Sequence, residues 1–315
     1  GGSTITYASG GSYTPSTTTS STTLYTVCTP NKIKLTLNKN GGTGGTDYVW
    51  YYYGTSVFYS NEACTTQITA ITRPTRTGYT FTEYYGDGTS GGTANERYMA
   101  YGSTEFANDL ATDIYKDATL YANWSVNSYV VTYDCETNGG SGNTTASVNY
   151  NASVGLSKTC TKSGWNFEGW STSSTATSKL SSYAMPANNV TLYAIYSKKV
   201  TVTFKANGCT TADGNASGTI YNKATSVSVT VPSKSMNSGW SSLGASSSAS
   251  STSQGTAMNS SMSITGIGTT TTSVTRYYNC SKAAITRNVT YSKGTNVSAI
   301  GATSGSCTIA AVYNG

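Results

Sequence analysis

The sequence predicts a mostly β protein, all-β to α+β, built of small tandem domains strung like beads. Three observations carry that expectation. A short alternating segment recurs four times, as TLYTVC (Thr23 to Cys28), ATLYANW (Ala118 to Trp124), TLYAIY (Thr191 to Tyr196) and TRYYNC (Thr275 to Cys280). Each is followed by a second alternating segment that runs into a turn: KIKLTLNKNGG (Lys32 to Gly42), YVVTYDCETNGG (Tyr129 to Gly140), VTVTFKANG (Val200 to Gly208) and NVTYSKG (Asn288 to Gly294). Internal repetition of this kind marks a row of supersecondary units, not one large core. Composition agrees, with 26 Tyr and 33 Gly beside only 10% charged residues, because aromatic side chains fit a half-buried pleated surface and glycines fit its turns. The closing residues Cys28, Trp124, Tyr196 and Cys280 are unevenly spaced. A stacked solenoid holds its period, so separate domains with loops of variable length are expected.

Five segments follow: residues 1–28 as the second half of a repeat, 29–126 and 127–198 as repeats, 199–283 as a degenerate repeat, and 284–315 as the first half of another. In the first complete copy Ile33, Leu35 and Leu37 alternate with polar residues, which buries one face of that strand and leaves the other wet. DYVWYYY (Asp47 to Tyr53) lacks clean alternation and reads either as a strand buried on both faces or as an exposed contact ridge. TEFANDLA is the one candidate helix, with Thr104 as cap and Phe106 and Leu110 on one face. The second copy is the most compact. In the third, SSLGASSSASSTSQG (Ser241 to Gly255) is too poor in apolar residues to pack and is expected to be an exposed, mobile loop.

Between the two strand motifs lies a third one. It reads PTRTGYTF (Pro74 to Phe81) in the first copy, with Glu83-Tyr84 after it, GWNFEGW (Gly164 to Trp170) in the second, and little beyond Gly239-Trp240 in the third. The order VTF-x-x-NGG, P-T-x-x-GYTF-x-GW, TLYA-x-W resembles the internalin B-type repeat, also called the Listeria–Bacteroides repeat, of bacterial surface proteins. That resemblance implies a small sheet-rich domain of β-grasp type in a secreted or wall-displayed protein with no enzymatic role. Trp124, Trp165, Trp170 and Trp240 occupy motif positions, and a small core needs such bulk more than a sugar-stacking platform does. Trp165 and Trp170 are five apart, so a regular strand turns them to opposite sides. Trp170, which matches the family's Gly-Trp, is the one expected to be buried.

No cofactor, metal or catalytic residue is assigned. The chain has no histidine, which removes the usual general base, the common nucleophile pairs and the commonest metal ligand. Asp109, Asp113 and Asp117 recur every fourth residue, whereas calcium loops use alternate positions followed by Gly and Glu; a solvated face is the expectation. The glycine pairs Gly41-Gly42 and Gly139-Gly140 lie between strands and are turns, not phosphate cradles. Seven scattered cysteines without a C-x-x-C pair read as a disulfide framework in an oxidising compartment. Cys135 with Cys160, in one repeat, is the best single pair.

Charge is unevenly spread. Between Asp47 and Glu136 eleven acids stand against four bases, and from residue 137 onward twelve bases stand against two acids. Such a split reads either as a means of steering head-to-tail self-association or as drift in repeats under little constraint. The basic residues are dispersed, which argues against nucleic acid, and no apolar run is long enough to span a bilayer. No basic segment followed by an apolar one marks the start as a signal peptide, so a longer parent chain is expected. The function expected is that of a non-enzymatic extracellular bacterial surface protein, a stalk, adhesin or filament subunit. A carbohydrate- or host-binding module, recognising a cell-surface glycan or host protein, is the alternative, and a glycan-active enzyme a distant third.

Overall fold

The computed structural model describes residues 30–86, 98–99, 104–106, 114–290, 295 and 304–314. The half-repeat at 1–28, with Cys28, lies outside the described residues, as do Asp109, Asp113 and residues 107–111 of the expected helix. Thr104 to Phe106 form a bend and a bridge to Met99. Among the described residues every regular element is a strand, and no helix is long and apolar enough to cross a membrane. The protein is mostly β. It divides into two compact units, residues 1–126 and 127–315.

The first unit holds β1 (Lys32–Asn38), β2 (Tyr48–Tyr52), β3 (Phe58–Tyr59), β4 (Gln67–Ile68), β5 (Tyr79–Gly86) and β6 (Ala118–Val126). They form one sheet in the order β4-β3-β2-β1-β6-β5, with β1 and β6 parallel and the other pairs antiparallel. Ile33, Leu35 and Leu37 point into a core shared with Val49, Tyr51, Leu120 and Ala122. Burying each such aliphatic side chain stabilises the fold by about 1.5–3 kcal/mol. The aromatic segment of β2 does alternate: Val49 and Tyr51 are buried, while Tyr48 is exposed and Trp50 and Tyr52 are half-buried on the other face. A run of aromatics hides its period, because a ring serves either face.

The second unit holds β7 (Ser128–Asp134), β8 (Thr144–Asn149), β9 (Asn166–Ser171), β10 (Val190–Lys205), β11 (Gly214–Tyr221), β12 (Val227–Thr230), β13 (Ser241–Ser246), β14 (Ser261–Ile264), β15 (Ser273–Lys282), β16 (Ile285–Thr290), β17 (Ser304–Ile309) and β18 (Val312–Tyr313). β10 is 16 residues long. Its first half lies parallel to β7 and antiparallel to β9; its second half lies antiparallel to β11 and parallel to β15. The boundary expected after residue 198 therefore falls inside one continuous strand. The closing strand of the second repeat is also the opening strand of the third. β16 and β17 form a hairpin, and β18 runs on to pair with the end of β15.

One strand order recurs. In each repeat an opening hairpin (β1-β2, β7-β8, β10-β11) is extended by the closing strand (β6, β10, β15), which runs parallel to the opening strand and antiparallel to a third strand (β5, β9, β13). The third repeat is thus complete despite its drifted sequence. The expected loop from Ser241 is a strand as far as Ser246, with Ala245 buried and Leu243 half-buried. Backbone pairing with β15 needs no bulk, and Gly244, at φ +88°, opens the register shift that Ser242 caps by accepting the Gly244 N–H.

Candidate functional site

Each opening turn is latched to its own closing strand by an asparagine. Asn40 Nδ2 donates to the Ala122 carbonyl at 2.9 Å, Asn138 Nδ2 to Ala194 at 2.8 Å, and Asn207 Nδ2 to Tyr278 at 3.1 Å. The acceptor is always the residue two before the closing one. The next residues, Gly41, Gly139 and Gly208, sit at φ +86°, +78° and +68°, a conformation that L side chains resist. The chain then bridges to the segment ahead of the third strand, at Thr43↔Thr75, Ser141↔Thr161 and Thr210↔Met236.

The position after that glycine faces the closing residue, and two solutions fill the slot. A Cβ on Gly42 would meet Trp124 Cζ2 at 2.5 Å, and one on Gly140 would run into the Tyr196 hydroxyl. In the first two repeats a glycine therefore yields to a closing aromatic ring. In the third the same two positions are Cys209 and Cys280, joined by a disulfide with Cα atoms 5.6 Å apart. A second bridge joins Cys135 to Cys160, while among the described residues Cys64 and Cys307 have no disulfide partner.

The junction of the second and third repeats is locked by Asn222, at φ +56° just beyond β11. Its N–H donates to the Tyr196 carbonyl at 2.8 Å, its Oδ1 accepts the Tyr196 N–H at 3.0 Å, and its Nδ2 donates to the Ala176 carbonyl at 2.8 Å. Asn314, at φ +50°, repeats the arrangement one repeat later. It exchanges hydrogen bonds with the backbone of Cys280 and donates to the Ser251 carbonyl at 2.9 Å. On the same junction Trp165 packs against the cores of both repeats, and its indole N–H donates to Thr269 at 3.2 Å. The Lys162 and Lys198 ammonium groups lie 3.8 and 5.0 Å from the Trp165 ring centroid. Lys198 is 4% exposed, and its ammonium donates to the carbonyls of Gly268 and Thr269. Burial pulls both lysines below their ordinary pKa, and for Lys162 the charges of Lys223 and Lys198 add to it.

Burial pushes three tyrosines up to about 12: Tyr84, helped by Asp47, Tyr196, helped by Asp134, and Tyr278, helped by Asp213. A folded-state value above the ordinary 10 means that the neutral hydroxyl contributes stability below pH 10, and that this is lost as pH rises from 10 towards 12. In an alkaline titration followed by tyrosinate absorbance and circular dichroism, these three are expected to ionise last and together with unfolding. Their ionisation below pH 10.5 in a folded protein would contradict the burial.

Residues 129–195 match the Listeria-Bacteroides repeat domain. The match falls within the second repeat. Its bounds start within β7 and end just before the slot residue Tyr196. The chain is also similar to Internalin H of Listeria monocytogenes serovar 1/2a, 35% identical over 150 residues, which is 47% of this chain and 24% of that protein. The chain thus spans about a quarter of the length of this relative.

Within the second repeat Trp170 is 1% exposed, against the rings of Tyr133 and Phe167, and its indole N–H donates to Lys158 at 2.7 Å. Trp165, Trp124 and Trp240 are half-buried. Trp124 packs on its own core and donates to Lys39 at 3.1 Å. Trp165 was legible as bulk, but its place between two cores was not, since its hydrogen-bond partner Thr269 lies beyond the repeat. The asparagines were likewise missed. Their signal was the N-G pair recurring at the end of each opening strand. Among the described residues no group of three or more His, Cys, Asp or Glu could hold a metal ion. Asp117, the described member of the aspartate series, accepts the Lys34 N–H at 2.8 Å.

Proposed function

We propose that the chain is part of a non-enzymatic, cell-surface or secreted bacterial protein in which these repeats act as a load-bearing stalk. The observation that carries this reading is the shared strand β10. A closing strand that continues as the next opening strand leaves no linker to bend, and Asn222 and Trp165 tie the two repeats on either side of it. The opening and closing strands of each repeat are parallel neighbours, so tension applied along them shears a whole ladder of hydrogen bonds together instead of peeling them one by one. The repeat-domain match and the likeness to Internalin H support the surface setting.

Single-molecule pulling on the full chain tests the stalk. The second and third repeats are expected to yield in one joint event, which Asn222→Ala splits into two. Separate, weak events in the unaltered protein would overturn the reading. Head-to-tail self-association, expected from the split of charge, is a finer proposal. Sedimentation at low and high salt checks it, with association expected at low salt only.

A further inference from the structure

We propose that the outer face of the first repeat is a platform for an acidic polysaccharide, an activity the stalk itself does not require. On that face Tyr48, Trp50 and Tyr52 alternate along β2 opposite Thr36, Lys34 and Lys32, and Tyr59 of β3 stands directly across from Trp50. The other two repeats show what folding demands at these places. The pairs equivalent to Lys34↔Trp50 are Val130↔Ser147 and Thr201↔Ser217. Those equivalent to Tyr48 and Tyr52 are Thr145 and Asn149 in the second repeat, and Asn215 and Thr219 in the third. The same strand order is built there from small polar residues, so the aromatic ridge is not a requirement of the fold.

The chemistry of the ridge identifies what it suits. Successive rings on one face of a strand stand about 7 Å apart, and Tyr and Trp offer a flat apolar surface with a polar tip. The apolar C–H faces of sugar rings lie on such surfaces, while their hydroxyls meet the tyrosine tips. Two ammonium groups are set among the rings: Lys34 Nζ lies 4.9 Å from the Tyr48 centroid and 5.8 Å from that of Trp50, and Lys32 Nζ lies 5.3 Å from that of Trp50. The Lys34 ammonium pairs with no carboxylate among the described residues. The carboxylates nearby are engaged, Glu62 with Lys32 and Asp117 with the Lys34 N–H. Lys34 is therefore the group left to meet a charge from outside, and the ligand that complements it is an anionic chain with flat repeating rings. A uronate-bearing polysaccharide meets all three conditions.

Affinity electrophoresis of the full chain tests this in gels carrying polygalacturonate, neutral dextran or poly-glutamate. Retardation is expected in polygalacturonate alone, weakening as salt is added. Trp50→Ala is expected to weaken it about tenfold, and Tyr59→Ala and Lys34→Gln to weaken it less. Ser147→Ala, at the equivalent place in the second repeat, is expected to leave it unchanged. No retardation by polygalacturonate, or retardation indifferent to both Trp50→Ala and Tyr59→Ala in folded protein, overturns the platform. Equal retardation by poly-glutamate overturns the polysaccharide and makes the face one for acidic peptides; retardation by dextran overturns the need for charge.

Discussion

Replacing Cys209 and Cys280 together by serine is expected to lower the stability of the third repeat by about 4 kcal/mol. The bridge closes a loop with a sequence separation of 71 residues, and the entropy that such a crosslink removes from the unfolded chain gives about 4 kcal/mol. Denaturant unfolding, with and without reductant, measures it. The sharper form of the prediction uses the molecule's own alternative. Cys209→Gly with Cys280→Tyr recreates the pair seen at Gly140 and Tyr196, and is expected to recover part of the loss without a covalent bond. If the Gly/Tyr pair proves no better than the two serines, the two fillings of the slot are not equivalent, and the similarity of position is only geometric.

The second large effect is expected from Trp170→Ala, at about 3–5 kcal/mol. The ring is 1% exposed, touches two further aromatic rings, and its removal also takes away the donor to the part-buried Lys158 carbonyl. Trp165→Ala is the control, because that ring is half-buried and lies between repeats. It is expected to cost less in overall stability while separating the unfolding of the second repeat from that of the third. Calorimetry distinguishes the two outcomes: Trp170→Ala lowers one joint transition, and Trp165→Ala divides it. An unchanged transition temperature for Trp170→Ala would refute its place in the core.

The strands were legible wherever a wet face and a dry face alternate, as in Ile33, Leu35 and Leu37, or where the closing motif recurs. What escaped the sequence were features carried by the backbone. Ser241 to Ser246 form a strand because β15 offers hydrogen bonds, not because their side chains seek a core. Asn222 and Asn314 act through a left-handed turn and three backbone partners, and no count of polar residues separates them from the many other asparagines. The continuity of β10 was invisible for a related reason. Ser197, Lys198 and Lys199 read as a polar gap between domains, yet Ser197 and Lys198 are buried. The Ser197 hydroxyl donates to Glu168, and the Lys198 ammonium reaches carbonyls some 70 residues away in sequence. The platform residues were seen as an aromatic run, but their division between two faces needed the register of β1 and β2.

The shared strand also restricts how such a chain can change over generations. Side chains along a strand alternate in parity, so Leu192, Ala194 and Tyr196 serve one core while Val200, Val202 and Phe204 serve the next. Inserting or deleting one residue between Tyr196 and Val200 would turn every later apolar side chain of that strand to the solvent. Two residues, or none, is the smallest change the junction tolerates. Loops carry no such arithmetic, and the uneven distances between closing residues can accumulate there freely. A lineage of these repeats is thus expected to vary in the length of its loops while inheriting the Tyr196 to Val200 interval unaltered.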